Sequence, residues 1–133
     1  MGVEMKPTDK NQALVLKLNK LTLSSEIAWE VEEPPRTIVT GSDDHIKLFL
    51  TTEVKGQDFG LYLANERIYD GETDEFYWGE RLHLILIDRD DRVLWELREH
   101  SVSLWDLFNS ARRKASNIDS IIDSILQDGP GPA

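Results

Sequence analysis

The chain has 133 residues, of which 40% are hydrophobic, and these values predict one folded domain with a substantial core. It contains no cysteine, which excludes disulfides, thiolate metal sites and a cysteine nucleophile. The net charge of −10 disfavours binding to nucleic acids and to anionic membranes, because both repel an acidic surface.

The two ends of the chain are polar. Residues 1–10 predict a flexible lead-in, and residues 128–133, which read DGPGPA, predict a disordered tail. The folded domain is therefore expected to span residues 11–127. The N-terminal segment lacks the apolar stretch of a secretory signal, and no segment is apolar over the length of a membrane span. We expect a cytoplasmic protein.

The first predicted elements are a helix and a short extended segment. Leu14, Leu18 and Leu21 recur at helical spacing and indicate a helix from about Asp9 onwards. The segment EIAWEVEEPP follows and alternates apolar with polar residues, which is typical of a half-buried strand. Its two prolines are expected to end that strand.

The central part of the chain has the pattern of several short strands. The segments RTIVTG, HIKLFLTTEV, FGLYLANERI and RLHLILIDRDDRVLWELRE are separated by turn residues and not by helices, which predicts an antiparallel meander. The last of them is expected to form two strands joined by a tight turn at residues 88–91. Its first strand is apolar on both faces, with Leu82, Leu84 and Leu86 on one and His83, Ile85 and Ile87 on the other, as in a covered strand.

The last third of the chain returns to helical spacing. Ser103 stands three residues before Asp106, an arrangement that resembles a capping box and predicts a helix start. A second, stronger pattern follows, and the pattern leaves open whether residues 103–127 form one helix or two with a break near residues 116–117. We expect its apolar stripe to pack on the sheet, with a dimer or partner groove as the alternative. The stripe consists of Ile118, Ile121, Ile122, Ile125 and Leu126.

These elements predict an α+β fold. An N-terminal helix precedes an antiparallel β-meander of about four to six strands, and one or two C-terminal helices pack on one sheet face.

The segments LNKLTLSSEIAWE and WELREHSVSLWDLFNSARRKASNIDSIIDSIL resemble a group of small bacterial and phage-associated proteins of unknown function. That group combines a Leu-rich first helix and a β-meander with a late helix of the pattern LWDLFxxARRKA…IDxIIDxIL. The resemblance covers most of residues 11–127. It implies a domain of one sheet with helices and supplies no chemistry, because the shared motifs are packing patterns.

Residues capable of catalysis are few. Of the three histidines, His83 is expected on a sheet face with a local hydrogen-bond partner. His45 follows two aspartates, a pattern as typical of a polar turn as of a weak metal site, and His100 has serines nearby but no triad pattern. The aspartates at 88–91 lack the glycine and the helical flanks of a calcium loop. We expect no catalytic residue, no metal and no cofactor.

The segment DEFYWGE is the most distinctive feature of the sequence. We expect it to lie in an acidic loop, residues 70–80, that leads into a strand at Arg81. Alternation then points Phe76 and Trp78 into the core and Tyr77 outwards. The functional alternative is an aromatic anchor for a partner, because Trp and Tyr are enriched at interface hot spots. The candidate partner-binding residues are Glu75, Phe76, Tyr77, Trp78 and Glu80.

The leading functional hypothesis is a non-enzymatic binding or accessory module that recognises a protein partner. The alternatives are an acidic inhibitor that mimics nucleic acid, a small hydrolase that uses histidine and carboxylates, and a structural homo-oligomer or homodimer formed through the Ile118–Leu126 face. Residues 112–114 form the only compact basic run, and local ion pairing accounts for it, so neither nucleic acid nor membrane is expected as a partner.

Overall fold

The structure, a computed structural model, describes residues 7–39, 44–99 and 101–128. The predicted α+β class is confirmed: a five-stranded antiparallel meander has one helix before it and two helices after it. In chain order the elements are α1 (Pro7–Leu23), β1 (Glu30–Glu32), α2 (Arg36–Val39), β2 (His45–Val54), β3 (Gln57–Asp70), β4 (Glu75–Ile87), β5 (Val93–Glu99), α3 (Val102–Ser116) and α4 (Ile118–Asp128). Because α1 begins at Pro7, part of the predicted lead-in is helical.

Strands β3 and β4 are much longer than their neighbours. They pair without a break from Asp58 opposite Ile87 to Asp70 opposite Glu75. Strand β2 pairs with β3 only as far as Asn65, and β5 pairs with β4 only as far as Leu82. Residues 66–81 therefore extend beyond the rest of the described sheet by about 17 Å at the usual rise of a strand. We call them the projecting hairpin.

The main core lies between one sheet face and helices α1 and α3. The predicted alternation in β4 is confirmed, since Leu82 and Leu84 are fully buried in this core while Ile85 and Ile87 belong to a smaller cluster on the opposite face. The smaller cluster also contains Phe49, Tyr62 and Ala64. Gly60 permits it, because a Cβ at that position would lie 2.9 Å from the Phe49 ring and 3.0 Å from Ile85.

The segment RTIVTG, predicted as a strand, instead contains the short helix α2. The amide of Ile38 donates to the carbonyl of Pro35 at 3.0 Å, which closes a helical turn directly after the two prolines. Proline favours such a turn because its φ angle is already close to the helical value. Ile38 packs against the smaller apolar cluster, so this β-branched residue contributes to packing and not to strand pairing.

The two C-terminal helices are separate. Asn117 adopts a left-handed conformation, with φ 55° and ψ 33°, and ends α3 where the sequence left a break open. The predicted cap at Ser103 is wrong: Ser101 caps α3, and its hydroxyl accepts from the Leu104 amide at 3.2 Å. The expected packing of the isoleucine stripe on the sheet is also wrong, because no residue from 118 to 127 is buried. No helix in the described ranges is both long and apolar enough to cross a membrane.

The two serines at the start of α3 provide a test of this cap. Ser101→Ala leaves an amide of the first turn without its acceptor, and we expect it to lower the free energy of unfolding by about 1 kcal/mol. Ser103→Ala is the comparison variant, and we expect a change within about 0.5 kcal/mol because Ser103 accepts an exposed bond from Gln12, donates a long bond of 3.3 Å to the Ser101 hydroxyl and accepts from no amide of the first turn. Urea unfolding followed by circular dichroism measures both. Equal losses in the two variants would contradict the assignment.

Candidate partner-binding hairpin

The aromatic segment lies within a strand and not in a loop, so the predicted loop 70–80 and strand start at Arg81 are both wrong. Strand β4 begins at Glu75, and only residues 71–74 form the turn. Asp74 completes this turn in a left-handed conformation with φ 54°. Every residue from Glu75 to Glu80 lies opposite a residue of β3, which explains why alternating aromatic side chains are accommodated here.

One face of the projecting hairpin carries three aromatic rings. Tyr69 lies opposite Phe76, with their ring centroids 5.3 Å apart. Arg67 lies opposite Trp78, and its guanidinium carbon is 4.6 Å from the centroid of the Phe76 ring. This distance is within the range of a cation–π contact. Arg67, Phe76 and Trp78 border a shallow surface cavity of about 360 Å³.

The other face carries Ile68 opposite Tyr77. Gly79 gives these two side chains their position, because a Cβ there would lie 2.9 Å from Cδ1 of Ile68 and 3.4 Å from the Tyr77 ring. The glycine of DEFYWGE therefore provides space for an apolar side chain from the opposite strand. The projecting hairpin has an apolar surface on each of its two faces.

All aromatic side chains of the chain that are more than half exposed lie on this hairpin. They are Tyr69 at 53%, Phe76 at 59%, Tyr77 at 51% and Trp78 at 53%. The predicted alternation is confirmed, but the predicted burial of Phe76 and Trp78 in the core is wrong. The main core ends at Leu63 and Leu82, so the same sheet face continues into solvent beyond these residues.

The turn of the hairpin is ordered by its own acidic side chains. Asp70 accepts from the amide of Glu72 at 2.9 Å, and the Tyr69 hydroxyl donates to the Asp74 carboxylate. The bond to Asp74 raises the pKa of Tyr69.

Of the predicted candidate residues, Glu80 forms an ion pair with Lys47 at 3.0 Å and Glu75 is exposed. The structure thus brings all five candidates onto one hairpin, on different faces.

The sequence pattern did not single out Arg67, Ile68 and Tyr69, which complete the two apolar faces. They belong to the preceding strand, and only pairing across the turn brings them beside the aromatic segment. The acidic turn could have identified them, because pairing residues outwards from residues 71–74 places Tyr69 opposite Phe76 and Arg67 opposite Trp78.

A buried polar network lies at the base of the hairpin. His83 is 4% exposed, and its Nδ1 is 3.1 Å from a carboxylate oxygen of Glu96 while its Nε2 contacts the carboxylate of Glu66. Tyr62 stacks on the imidazole with the ring centroids 4.5 Å apart. Burial and the carboxylates of Glu96 and Glu66 raise the pKa of the Tyr62 phenol well above its usual range. His83 therefore lies on a sheet face and has partners, as predicted, but these come from β3 and β5 and are not local in the sequence.

This network borders a cavity of about 250 Å³ that is also lined by Ile38 and Ile46. A general base needs a ring nitrogen directed at its substrate. Each ring nitrogen of His83 is directed at a carboxylate instead. The geometry suits a structural role at the base of the hairpin better than hydrolysis.

The remaining predicted polar positions do not assemble into a catalytic centre within the described ranges. His45 is exposed, and His100 lies outside the described residues. The carboxylate of Asp88 accepts from the amides of Asp90 and Arg92, both at 2.9 Å, so it stabilises its own turn. Among the described residues, no group of three or more acidic or histidine side chains has an arrangement that could hold a metal ion.

Comparison with protein-family models, with curated proteins and with solved structures gives no match. The resemblance to small bacterial and phage-associated proteins therefore stays a prediction.

The buried network can be tested by a double-variant cycle. His83→Phe keeps the stacking on Tyr62 but leaves the buried Glu66 carboxylate with Arg81 at 3.7 Å as its remaining ionic neighbour. We expect a loss of about 3 kcal/mol in the free energy of unfolding. Glu66→Met combined with His83→Phe removes the buried charge and should recover most of that loss, as measured by urea denaturation. A double variant no more stable than His83→Phe alone would contradict this account.

Proposed function

We propose that the protein is a non-enzymatic binding module that recognises a protein partner through the projecting hairpin. One observation carries the proposal: the four aromatic side chains that are more than half exposed all lie on this hairpin. Aromatic residues are enriched in protein interfaces, and Trp and Tyr in particular are enriched at hot spots.

The amount of aromatic surface supports this function. Four large aromatic side chains that are about half exposed present on the order of 400 Å² of aromatic surface. Tyr69, Phe76 and Trp78 share one face of the hairpin, and the largest apolar patch on a monomer, typically about 300–600 Å², is often functional. The main core ends before the hairpin, so these rings contribute little to holding the sheet together, and binding gives a reason for their presence.

Charge defines the chemistry of the partner. Residues 70–80 contain five acidic side chains and no lysine or arginine. Acidic groups around an aromatic centre attract a basic surface and repel an acidic one, which affects the rate and selectivity of association. The partner that fits is a protein with an apolar cleft bordered by lysine and arginine.

The shape of the hairpin indicates how such a partner would engage it. Both faces carry apolar side chains, and the outer edge of β4 from Glu75 to Glu80 has no paired strand among the described residues. A cleft that encloses the hairpin would contact both faces at once, and a partner strand could pair along the open edge. Because the turn and the base are already ordered, binding would require little loss of conformational entropy.

Substitution of the aromatic residues tests the proposal. Trp78→Ser and Tyr77→Ser each remove one ring from opposite faces, and Val102→Ser is the matched control because Val102 is 78% exposed outside the hairpin. The partner is first isolated by its binding to the wild-type protein. We expect each hairpin variant to weaken binding to this partner by at least about 30-fold, which is the effect of a hot-spot residue. The control should change affinity by less than about 3-fold. Surface plasmon resonance with the isolated partner measures all three.

Two outcomes would refute the proposal. In the first, no protein is found that the wild-type chain retains and the hairpin variants lose. The other is equal retention of the same protein by wild type, Trp78→Ser and Tyr77→Ser. Circular dichroism and urea unfolding confirm that each variant is folded, which we expect because these side chains lie outside the core.

A further inference from the structure

Helix α4 has a strongly amphipathic sequence but an exposed apolar face. Ile121, Ile122, Ile125 and Leu126 are 47%, 40%, 65% and 72% exposed, and only Ile118 at the start is partly buried. Ser120, Asp123 and Gln127 occupy the opposite side of the helix at 100° per residue. A helix with one apolar stripe normally buries that stripe. Within the described residues, α4 packs mainly on α3, and that contact leaves the stripe uncovered.

A groove lies beside the first turn of α4. Its volume is about 760 Å³, and Leu23, Val31, Leu48 and Ile118 form its apolar part. Three basic residues, Arg112, Arg113 and Lys114, and one acidic residue, Asp119, also line it. Because Asp119 forms an ion pair with Arg113, the charge of Arg112 and Lys114 gives this border a net positive charge. The groove therefore adjoins one end of the exposed stripe.

We propose that α4 is a self-association surface through which two copies of the chain pair, with their α4 helices antiparallel about a two-fold axis. In this arrangement the last turn of each α4, with Ile125 and Leu126, enters the groove at the first turn of the other. The surface is self-complementary, because each copy supplies both the apolar end and the groove. Two-fold pairing of this kind is the most common form of homo-oligomer.

The charges support the antiparallel direction. The last turn of α4 contains no basic residue, so the partial negative charge of its carbonyl groups has no cation in its own helix. Antiparallel pairing brings this end to the cationic border formed by Arg112 and Lys114 of the second copy. A parallel arrangement would instead place two negative helix ends side by side.

The size of the apolar surface fits a small dimer. Helix α4 has eleven residues and is about 16 Å long. Six aliphatic side chains on each copy are between 40% and 72% exposed in this region: Leu23, Val31, Ile121, Ile122, Ile125 and Leu126. A specific interface buries about 800 Å² on each partner around an apolar centre, and these side chains together with the groove supply such a centre.

Sedimentation equilibrium and light scattering test the proposal with the protein alone. We expect wild type to reach twice the 15.3 kDa chain mass within concentrations of about 100 μM. Ile125→Glu places a charge in the stripe and should raise the dissociation constant by more than about 30-fold. Ser120→Glu adds the same charge on the opposite side of the same helix, outside its last turn, and should leave the constant within about 3-fold of wild type. Circular dichroism verifies that α4 stays helical in both.

Cross-linking locates the axis, because the chain contains no cysteine of its own. Ile122 lies near the middle of the stripe, so Ile122→Cys should form a disulfide between two copies on mild oxidation. Ser120→Cys, directed away from the stripe, should form no disulfide between copies under the same conditions. Three results would overturn the proposal: a single-chain mass for wild type at about 1 mM, a dimer that survives Ile125→Glu, or equal cross-linking of the two cysteine variants.

Discussion

The unbroken pairing of β3 with β4 is the constraint on which the rest of the structure depends. One register, from Asp58 opposite Ile87 to Asp70 opposite Glu75, orders both the core and the projecting hairpin. Within the core it places Leu61 beside Leu84, and beyond the core it places Arg67 beside Trp78. A slip of one residue would exchange the two faces along the whole length, since side chains alternate with a period of two. The buried leucines and the exposed aromatics are therefore positioned by the same backbone interaction.

The network around His83 gives this pairing a rigid base. Glu66 and His83 lie on the adjacent strands β3 and β4, near the position where the pairing of β2 and β5 with these strands ends. Their contact is buried, and Glu96 extends it to the edge strand. Buried polar groups are costly unless all of them are paired, so the arrangement disfavours other positions of the hairpin. The aromatic rings are thus presented from a base that resists bending.

Much of the fold follows from the sequence because it depends on local patterns. Alternation assigned Leu84 and Ile85 to opposite faces, and the capping residues near Asn117 indicated where a break would lie while leaving open whether there was one. The errors concern properties that neighbours in space decide. Phe76 and Trp78 alternate as expected. Whether their strand face is covered, however, depends on where α1 and α3 end, and the alternation of residues in β4 contains no information about that. The short helix α2 was missed because β-branched residues after two prolines can pack on a cluster as well as pair in a sheet.

The candidate site shows the same division. The segment DEFYWGE was recognisable from its composition, whereas its companions Arg67 and Tyr69 became apparent only through pairing across the turn. His83 was expected to have a local partner, but its two carboxylates come from two other strands, and sequence spacing does not relate them. A single sequence is least able to predict which residues of a site come together from different strands.

The single residue between α3 and α4 has a consequence for how the chain can change. Asn117 is the one residue between the two helices, and the Arg113–Asp119 ion pair connects them across it. An α-helix advances by about 100° per residue. Insertion or deletion of one residue at this junction would therefore turn the whole isoleucine face away from its present direction while leaving the length and composition of both helices almost unaltered. The direction of that face thus depends on the backbone at this junction as well as on the side chains that form it.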